Sequence, residues 1–276
     1  MIHELGSHRF INEYAPVPPS ADSLILSYKE NELLLRNEDG IISFISYEEL
    51  CRVAPEKKDD LRFFFRLDDT AFFLCEDLDP ARFPGASMEG KWLLRTARPK
   101  HLAYAGITGH QLYTWYRNRK FCPACGTPTV HSDIERAMVC PACGLTEYPK
   151  ICPAVIVAIR HENKLLLTKY ANGTGRYALV AGYSELGETI EQTVHREVME
   201  ETGLRVKNLR YYKSQPWPFS DTLLFGFICE LDGDDAVRLQ EQELSEARWL
   251  TREEMPDNDG VSLTRELITK FKEGEF

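Results

Sequence analysis

Gly182 to Leu204, GYSELGETIEQTVHREVMEETGL, constrains this chain more than any other stretch. Glu197, Glu200 and Glu201 stand at i, i+3 and i+4 of a predicted helix, which sets their carboxylates on one face. Like charges at that spacing repel and would weaken a helix with nothing to bind. A hard divalent cation removes the penalty, and Mg²⁺ or Mn²⁺ takes carboxylate oxygens together with a substrate's phosphates. The spacing therefore predicts a metal site for phosphate chemistry. Gly182 and Gly187 bracket a tight loop, Glu188-Thr189 opens the helix, and Gly203 stops it. Ile190, Val194 and Val198 form an apolar stripe that can pack against a sheet. Arg196 sits beside the carboxylates and can pair with Glu188, holding loop to helix. A solvated acidic face is the ordinary reading of a charge run. The number of fixed positions in this short stretch argues against it.

Eight cysteines raise the question of disulfides, and spacing answers it for four of them. Cys122-Pro-Ala-Cys125-Gly and Cys140-Pro-Ala-Cys143-Gly are two identical knuckles with fourteen residues between Cys125 and Cys140. Each glycine lets the backbone turn so that amides point at sulfurs. Four thiolates make a closed tetrahedral shell, which favours structural zinc over a pair of redox sites. Cys51, Cys75, Cys152 and Cys229 fall in apolar runs and are expected to be buried free thiols.

Composition narrows the partners. Net charge is −10, which opposes a broad nucleic-acid footprint but not a pocket for one terminal nucleotide. With 43% hydrophobic and 28% charged residues, the chain can bury a sizeable core. The start, MIHELGSHRF, has no apolar signal region, and no apolar run is long enough to span a bilayer. A cytoplasmic location with no membrane association is the expectation.

The order of segments predicts an N-terminal, β-rich domain over residues 1–98. Its short apolar runs, such as ELLLRN and RFFFRL, are separated by polar turns and read as mainly antiparallel strands. Residues 99–150 are expected to hold a helix and the four-cysteine ribbon. Residues 151–276 read as an α/β domain, a mixed sheet with flanking helices. There AVIVAIR and KLLLTKY form a hairpin and LTRELITKFKEG a terminal helix. Past the acidic stretch comes Ser214-Gln215-Pro216-Trp217-Pro218-Phe219. Its prolines are expected to present Trp217 and Phe219 as rigid faces for a planar ring. Ordinary burial of both aromatics in the core is the alternative.

Gly, five residues, Glu, seven residues and Arg-Glu-aliphatic-any-Glu-Glu-any-Gly-aliphatic match the Nudix hydrolase signature at every defined position. With the ribbon and SQPWPF, the chain resembles the NADH diphosphatase branch of that family over about residues 95–270. The resemblance implies metal-dependent hydrolysis of the pyrophosphate of NAD(H) to NMN(H) and AMP. It also implies removal of 5′ NAD caps from RNA, and a homodimer. It further implies zinc in the ribbon and Mg²⁺ or Mn²⁺ in the active site. By resemblance Glu197 and Glu201 bind metal, and Glu200 is a further ligand or the general base. The Ala181 carbonyl and Glu243 match other metal contacts, with Glu241 and Glu246 weaker candidates. Glu188 and Arg196 complete the catalytic set. Glu135, Tyr148 and Tyr183 match substrate-contacting positions, as do residues from Gln215 to Thr222, and Arg95 matches more loosely. Tyr183 stands where the family has phenylalanine, and would stack on nicotinamide. The motif departs from the family at Ser220, in place of proline, and at Thr222, in place of serine, with Asp221 between.

Two other functions fit part of this pattern. One is a diphosphatase for another nucleoside diphosphate derivative such as ADP-ribose, against which SQPWPF speaks. The other is a zinc-ribbon binding module with an inactive Nudix domain, against which the full set of glutamates speaks.

Overall fold

The computed structural model describes residues 1–173, 175–240, 242–256 and 260–276. They form two compact units. The N-terminal unit comprises residues 2–150 with 218–221, and the C-terminal unit Met1, 151–217 and 222–276.

Within the N-terminal unit, a five-stranded sheet runs in the order Phe10–Ile11, Arg62–Leu67, Thr70–Leu74, Leu24–Leu26, Ile45–Ser46. Its pairings are antiparallel except that Leu24–Leu26 lies parallel to Thr70–Leu74. A second sheet places Glu32–Glu38 between Ala86–Gly90 and the strands Tyr28–Lys29 and Ile41–Ser43. Helix α1, Tyr47–Val53, starts where the Ser46 side chain accepts the Glu49 amide. Helix α2, Lys100–Asn118, is mostly buried. Small residues let it come close: a Cβ on Gly109 would stand 2.3 Å from the Tyr28 hydroxyl oxygen. That hydroxyl donates to the Gly106 carbonyl at 2.7 Å. The three short ribbon strands, Val130–His131, Met138–Val139 and Thr146–Glu147, pair in that order.

In the C-terminal unit the sheet order is Val206–Trp217, Thr222–Leu231, Cys152–His161, Lys164–Tyr170, Leu244–Thr251. Val180–Tyr183 pairs alongside Cys152–His161. The sheet is mixed, since Cys152–His161 runs parallel to Thr222–Leu231 and antiparallel to its other partners. Alternation along Cys152–His161 explains the apolar run. Val155, Val157 and Ile159 pack with Val194 and Val198 of helix α3, Ile190–Thr202. Ile156 and Ala158 pack with Leu263, Leu267 and Phe271 of helix α4, Leu263–Lys272. Helices cover both faces, so no position on the strand's centre is left polar. Each such aliphatic burial contributes about 1.5–3 kcal/mol. Among the described residues, no helix is long and apolar enough to cross a membrane.

Candidate metal and phosphate site

Helix α3 is closed at both ends by its own sequence. Thr189 and Gln192 form a reciprocal capping box, and Gly203 ends the helix in the left-handed region at φ 69°. Val194 and Val198 anchor it on the sheet, which fixes where its glutamates point. Glu197 and Glu201 turn inward, 8% and 1% exposed. Glu200 does not: its side chain is 52% exposed. The three carboxylates share one face of the helix, where Glu197 and Glu201 form an inward pair and Glu200 the exposed flank. At about 100° per residue, Glu200 sits roughly 100° from Glu201, while Glu197 and Glu201 are only about 40° apart.

Arg196 ties the loop to the helix. Its Nε donates to Glu188 Oε1 at 2.6 Å and its Nη2 to Glu188 Oε2 at 2.9 Å. Nη1 reaches Glu197 at 2.8 Å and Glu200 at 2.9 Å, and Nη2 also donates to the Tyr183 carbonyl at 2.8 Å. The Arg196 guanidinium, the Glu185 amide and the Thr193 hydroxyl hold the Glu188 carboxyl down at about 2. Glu188 is thus a fixed anion that organises the loop, with Gly187 supplying the positive φ of 85°.

Glu201 is the opposite case. Burial, then the charges of Glu197 and Glu243, push its carboxyl up to about 8. Neither of its oxygens has a donor in good hydrogen-bond geometry among the described residues, and the nearby Ala181 backbone lowers the carboxyl only in part. Burial also raises Glu197, against the pull of Arg196. Gly182 makes room for this pair, because a Cβ there would fall 1.9 Å from the Glu197 carboxyl carbon. Ala181, one residue earlier on Val180–Tyr183, pairs with Ile156. Buried carboxylates with no donor to meet them are costly. All the groups concerned are hard oxygen donors, so the set fits a divalent cation of the Mg²⁺ type.

Glu243 is exposed, and its charge acts on Glu197 and Glu201. Glu246 is committed elsewhere, to Lys169 at 2.7 Å and the Tyr177 hydroxyl at 2.8 Å. Glu241 lies outside the described residues. Tyr170 was not legible beforehand. Its hydroxyl is raised by desolvation and then by Glu201, Glu243 and Glu197, which marks it as a neighbour of the carboxylates. Nothing in its strand-end position signals this.

The SQPWPF segment is less exposed than its prolines suggest. Ser214 to Trp217 end the strand Val206–Trp217, and Pro218–Ser220 form a 3₁₀ turn. Gln215 is fully buried, accepting the Leu263 amide at 2.7 Å and donating to the Val261 carbonyl at 3.1 Å. Both ends of that amide thus tie it to the start of α4. Phe219 is 4% exposed and stacks on Trp92, with centroids 5.1 Å apart and planes at 7°. An open aromatic face was expected there. Lys91 Nζ also donates to the Phe219 carbonyl at 3.3 Å. Pro216, Trp217 and Asp221 are half-buried, Pro218 and Thr222 are buried, and Ser220 is exposed. Tyr183 keeps an open ring, 51% exposed, with its hydroxyl 3.3 Å from that of Thr222. In the N-terminal unit, Tyr148 is 57% exposed and donates to Glu135 at 3.0 Å, while Arg95 ends the turn Lys91–Arg95.

The two ribbon knuckles repeat each other. Gly126 and Gly144 take φ of 75° and 76°, and their amides donate to the Cys122 and Cys140 carbonyls at 2.9 and 3.0 Å. The four sulfurs lie within 4.8 Å of one another, with Cys122–Cys143 at 3.6 Å and Cys125–Cys140 at 3.4 Å. A tetrahedron with ~2.3 Å Zn–S bonds has edges of roughly 3.8 Å, so the cluster fits structural zinc. Among the described residues, no glutamate set draws three ligand atoms as close. Of the other thiols, Cys75 and Cys229 are buried, and burial raises them to about 11 and about 12. Cys51 and Cys152 are only half-buried, which corrects the expectation for them.

Comparison with known proteins follows the same division. Residues 117–148 match the NADH pyrophosphatase zinc ribbon domain, and residues 150–271 the NUDIX domain. Proteins named NAD-capped RNA hydrolase NudC from Salmonella schwarzengrund and Salmonella heidelberg are 47% and 46% identical over 149 residues. That alignment covers 54% of this chain and 58% of each relative's length. A solved NUDIX hydrolase from Nitrosomonas europaea, 27% identical, covers 56% of this chain and 92% of its own, at a TM-score of 0.49. The chain carries a NUDIX domain joined to an NADH pyrophosphatase zinc ribbon domain.

Proposed function

We propose that this chain is a metal-dependent diphosphatase that cleaves the pyrophosphate of NAD(H) to NMN(H) and AMP. The same bond in a 5′ NAD cap makes capped RNA a second substrate of the same reaction. The observation that carries this reading is the buried, partnerless Glu201 beside Glu197, on a helix locked by Arg196 and Glu188. The relatives' printed name, NAD-capped RNA hydrolase, supports the substrate class.

Glu197 and Glu201, with the Ala181 carbonyl, Glu200 and Glu243, would hold Mg²⁺ or Mn²⁺. When bound, such cations neutralise the diphosphate and lower the pKa of a water near phosphorus. The chain's own groups position and balance charge. Arg196 keeps Glu197 oriented, and Glu188 keeps Arg196 in place. Glu200, exposed and hydrogen-bonded to Arg196, would serve either as that further ligand or as the base for an attacking water. The open Tyr183 ring offers a face to the nicotinamide. Glu135 and Tyr148 would contact substrate from a ribbon, with a homodimer as the assembly.

Product chromatography with NADH, NAD⁺, ADP-ribose and NAD-capped RNA, with and without added Mg²⁺ or Mn²⁺, tests this reading. The expected result is AMP and the nicotinamide mononucleotide from NADH, only with metal. Faster turnover of ADP-ribose than of NADH would replace the substrate assignment.

A further inference from the structure

The N-terminal unit holds a concentration of positive charge that the hydrolytic reading does not use. Arg62, on Arg62–Leu67, places its guanidinium 4.3 Å from the centroid of the Tyr116 ring. Arg136 donates to Asn12 Oδ1 at 2.6 Å and to the Phe64 carbonyl, and lies 5.7 Å from the Tyr14 ring centroid. Its Nε is buried without a hydrogen-bond partner among the described residues. Neither guanidinium is within salt-bridge distance of a described carboxylate.

The rings packed on them carry no compensating charge, and the acids nearest Arg62, namely Asp59, Asp60, Glu76 and Asp77, line a neighbouring cleft without reaching ion-pair distance. The Tyr14 hydroxyl meets His131 Nδ1 at 3.3 Å and the Tyr116 hydroxyl meets Nε2 at 2.8 Å. Burial raises both phenols, Tyr116 to about 12, so neither is an anion at neutral pH. Burial and then the two arginines lower His131, which stays neutral. The acid whose field reaches Tyr14 and His131 is the exposed Asp133. Partly desolvated cations without an ion-pair partner are costly, and an anionic ligand would relieve that cost.

A groove of about 500 Å³ lies against this cluster, its walls including Tyr14, Val17, Phe63, Phe73, Arg62 and His131. That volume is in the range of small-molecule sites. Lys58 and Asp59, its other charged residues, offset each other. Aromatic walls with a guanidinium suit a planar ring bearing a phosphate, since arginine matches phosphate oxygens in a fork. A bare phosphate would leave the apolar walls wet.

We propose that this groove binds a nucleoside monophosphate, with the base against Tyr14 and His131 and the phosphate on Arg62. Every residue of it belongs to the N-terminal unit, and the proposal stands without the hydrolytic reading.

Isothermal titration of the full chain with AMP, adenosine and inorganic phosphate, without added divalent cation, tests it. AMP is expected to bind, and adenosine and phosphate each at least about tenfold more weakly. Arg62→Gln should weaken AMP about tenfold or more. Val17→Trp fills the groove and leaves both arginines, and should do the same; it decides the matter if Arg62→Gln fails to fold. Glu201→Gln should leave AMP affinity unchanged. The proposal is overturned by no AMP binding up to ~10 mM. It is also overturned if phosphate binds as well as AMP, or if binding survives in both groove variants.

Discussion

The ribbon thiols and the α3 carboxylates are two clusters built to opposite designs. The four cysteines are arranged by local knuckles, each closed by a glycine amide, and their sulfurs already lie at near-tetrahedral separations. The set is complete, so a bound ion gains no open position for a substrate. Around α3, one carboxylate is over-supplied with donors and another has none. Glu188 takes Arg196, the Glu185 amide and Thr193, while buried Glu201 has no well-placed donor among the described residues. An incomplete shell costs stability and leaves a place for chemistry. A complete one only holds the fold.

The largest test of this contrast is Glu201→Gln. Turnover of NADH should fall by ~10³-fold or more, about 4 kcal/mol of transition-state stabilisation, with no loss of melting temperature. A melting point several degrees lower would mean that Glu201 is structural after all. Next comes Cys140→Ser. Bound zinc, measured by atomic absorption, should drop from about one per chain towards none, and the N-terminal unit should lose several kcal/mol. Unchanged metal content would break the reading of a closed tetrad.

His110 sharpens the comparison, because it is a buried polar group that does have its partner. Its Nε2 meets the Glu30 carbonyl at 2.9 Å, and burial lowers its pKa to about 4. A lowered folded pKa means the neutral ring is the form that fits. Its stability contribution is therefore full above the ordinary value near 6.5 and is lost as pH falls towards 4. The loss should reach about 3 kcal/mol. His110→Gln should flatten the pH dependence of unfolding in that window, read from urea midpoints at several pH values. A smaller effect is expected from Gln215→Ala. Leaving the Leu263 amide and Val261 carbonyl unmet should cost about 1–3 kcal/mol. It should change KM for NADH little, whereas a large change in KM would restore Gln215 to the substrate site.

Reading of the sequence went furthest where chemistry is local. The helix start at Thr189, the stop at Gly203 and the Arg196–Glu188 pair lie within one loop and one helix, so spacing alone implies them. The knuckles are local as well. It went less far wherever a side chain's surroundings come from distant chain. Glu200 carries the same charge as Glu201 one residue away, yet one is exposed and the other buried. Phe219 looks like a presented aromatic until Trp92 covers it. Gln215 reads as a recognition residue until α4 takes both ends of its amide.

What the sequence determined by itself was the donor set: four thiols at knuckle spacing, glutamates at helical spacing, and the covalent order that joins them. Those depend on residue type and on backbone periods of a few residues. Only the tertiary structure decided which carboxylate is stranded, that Tyr170 feels its charge, and that Arg62 and Arg136 lie against tyrosine rings with no carboxylate at ion-pair distance among the described residues. Desolvation and field depend on every atom packed around a group, and most of those atoms are far away along the chain.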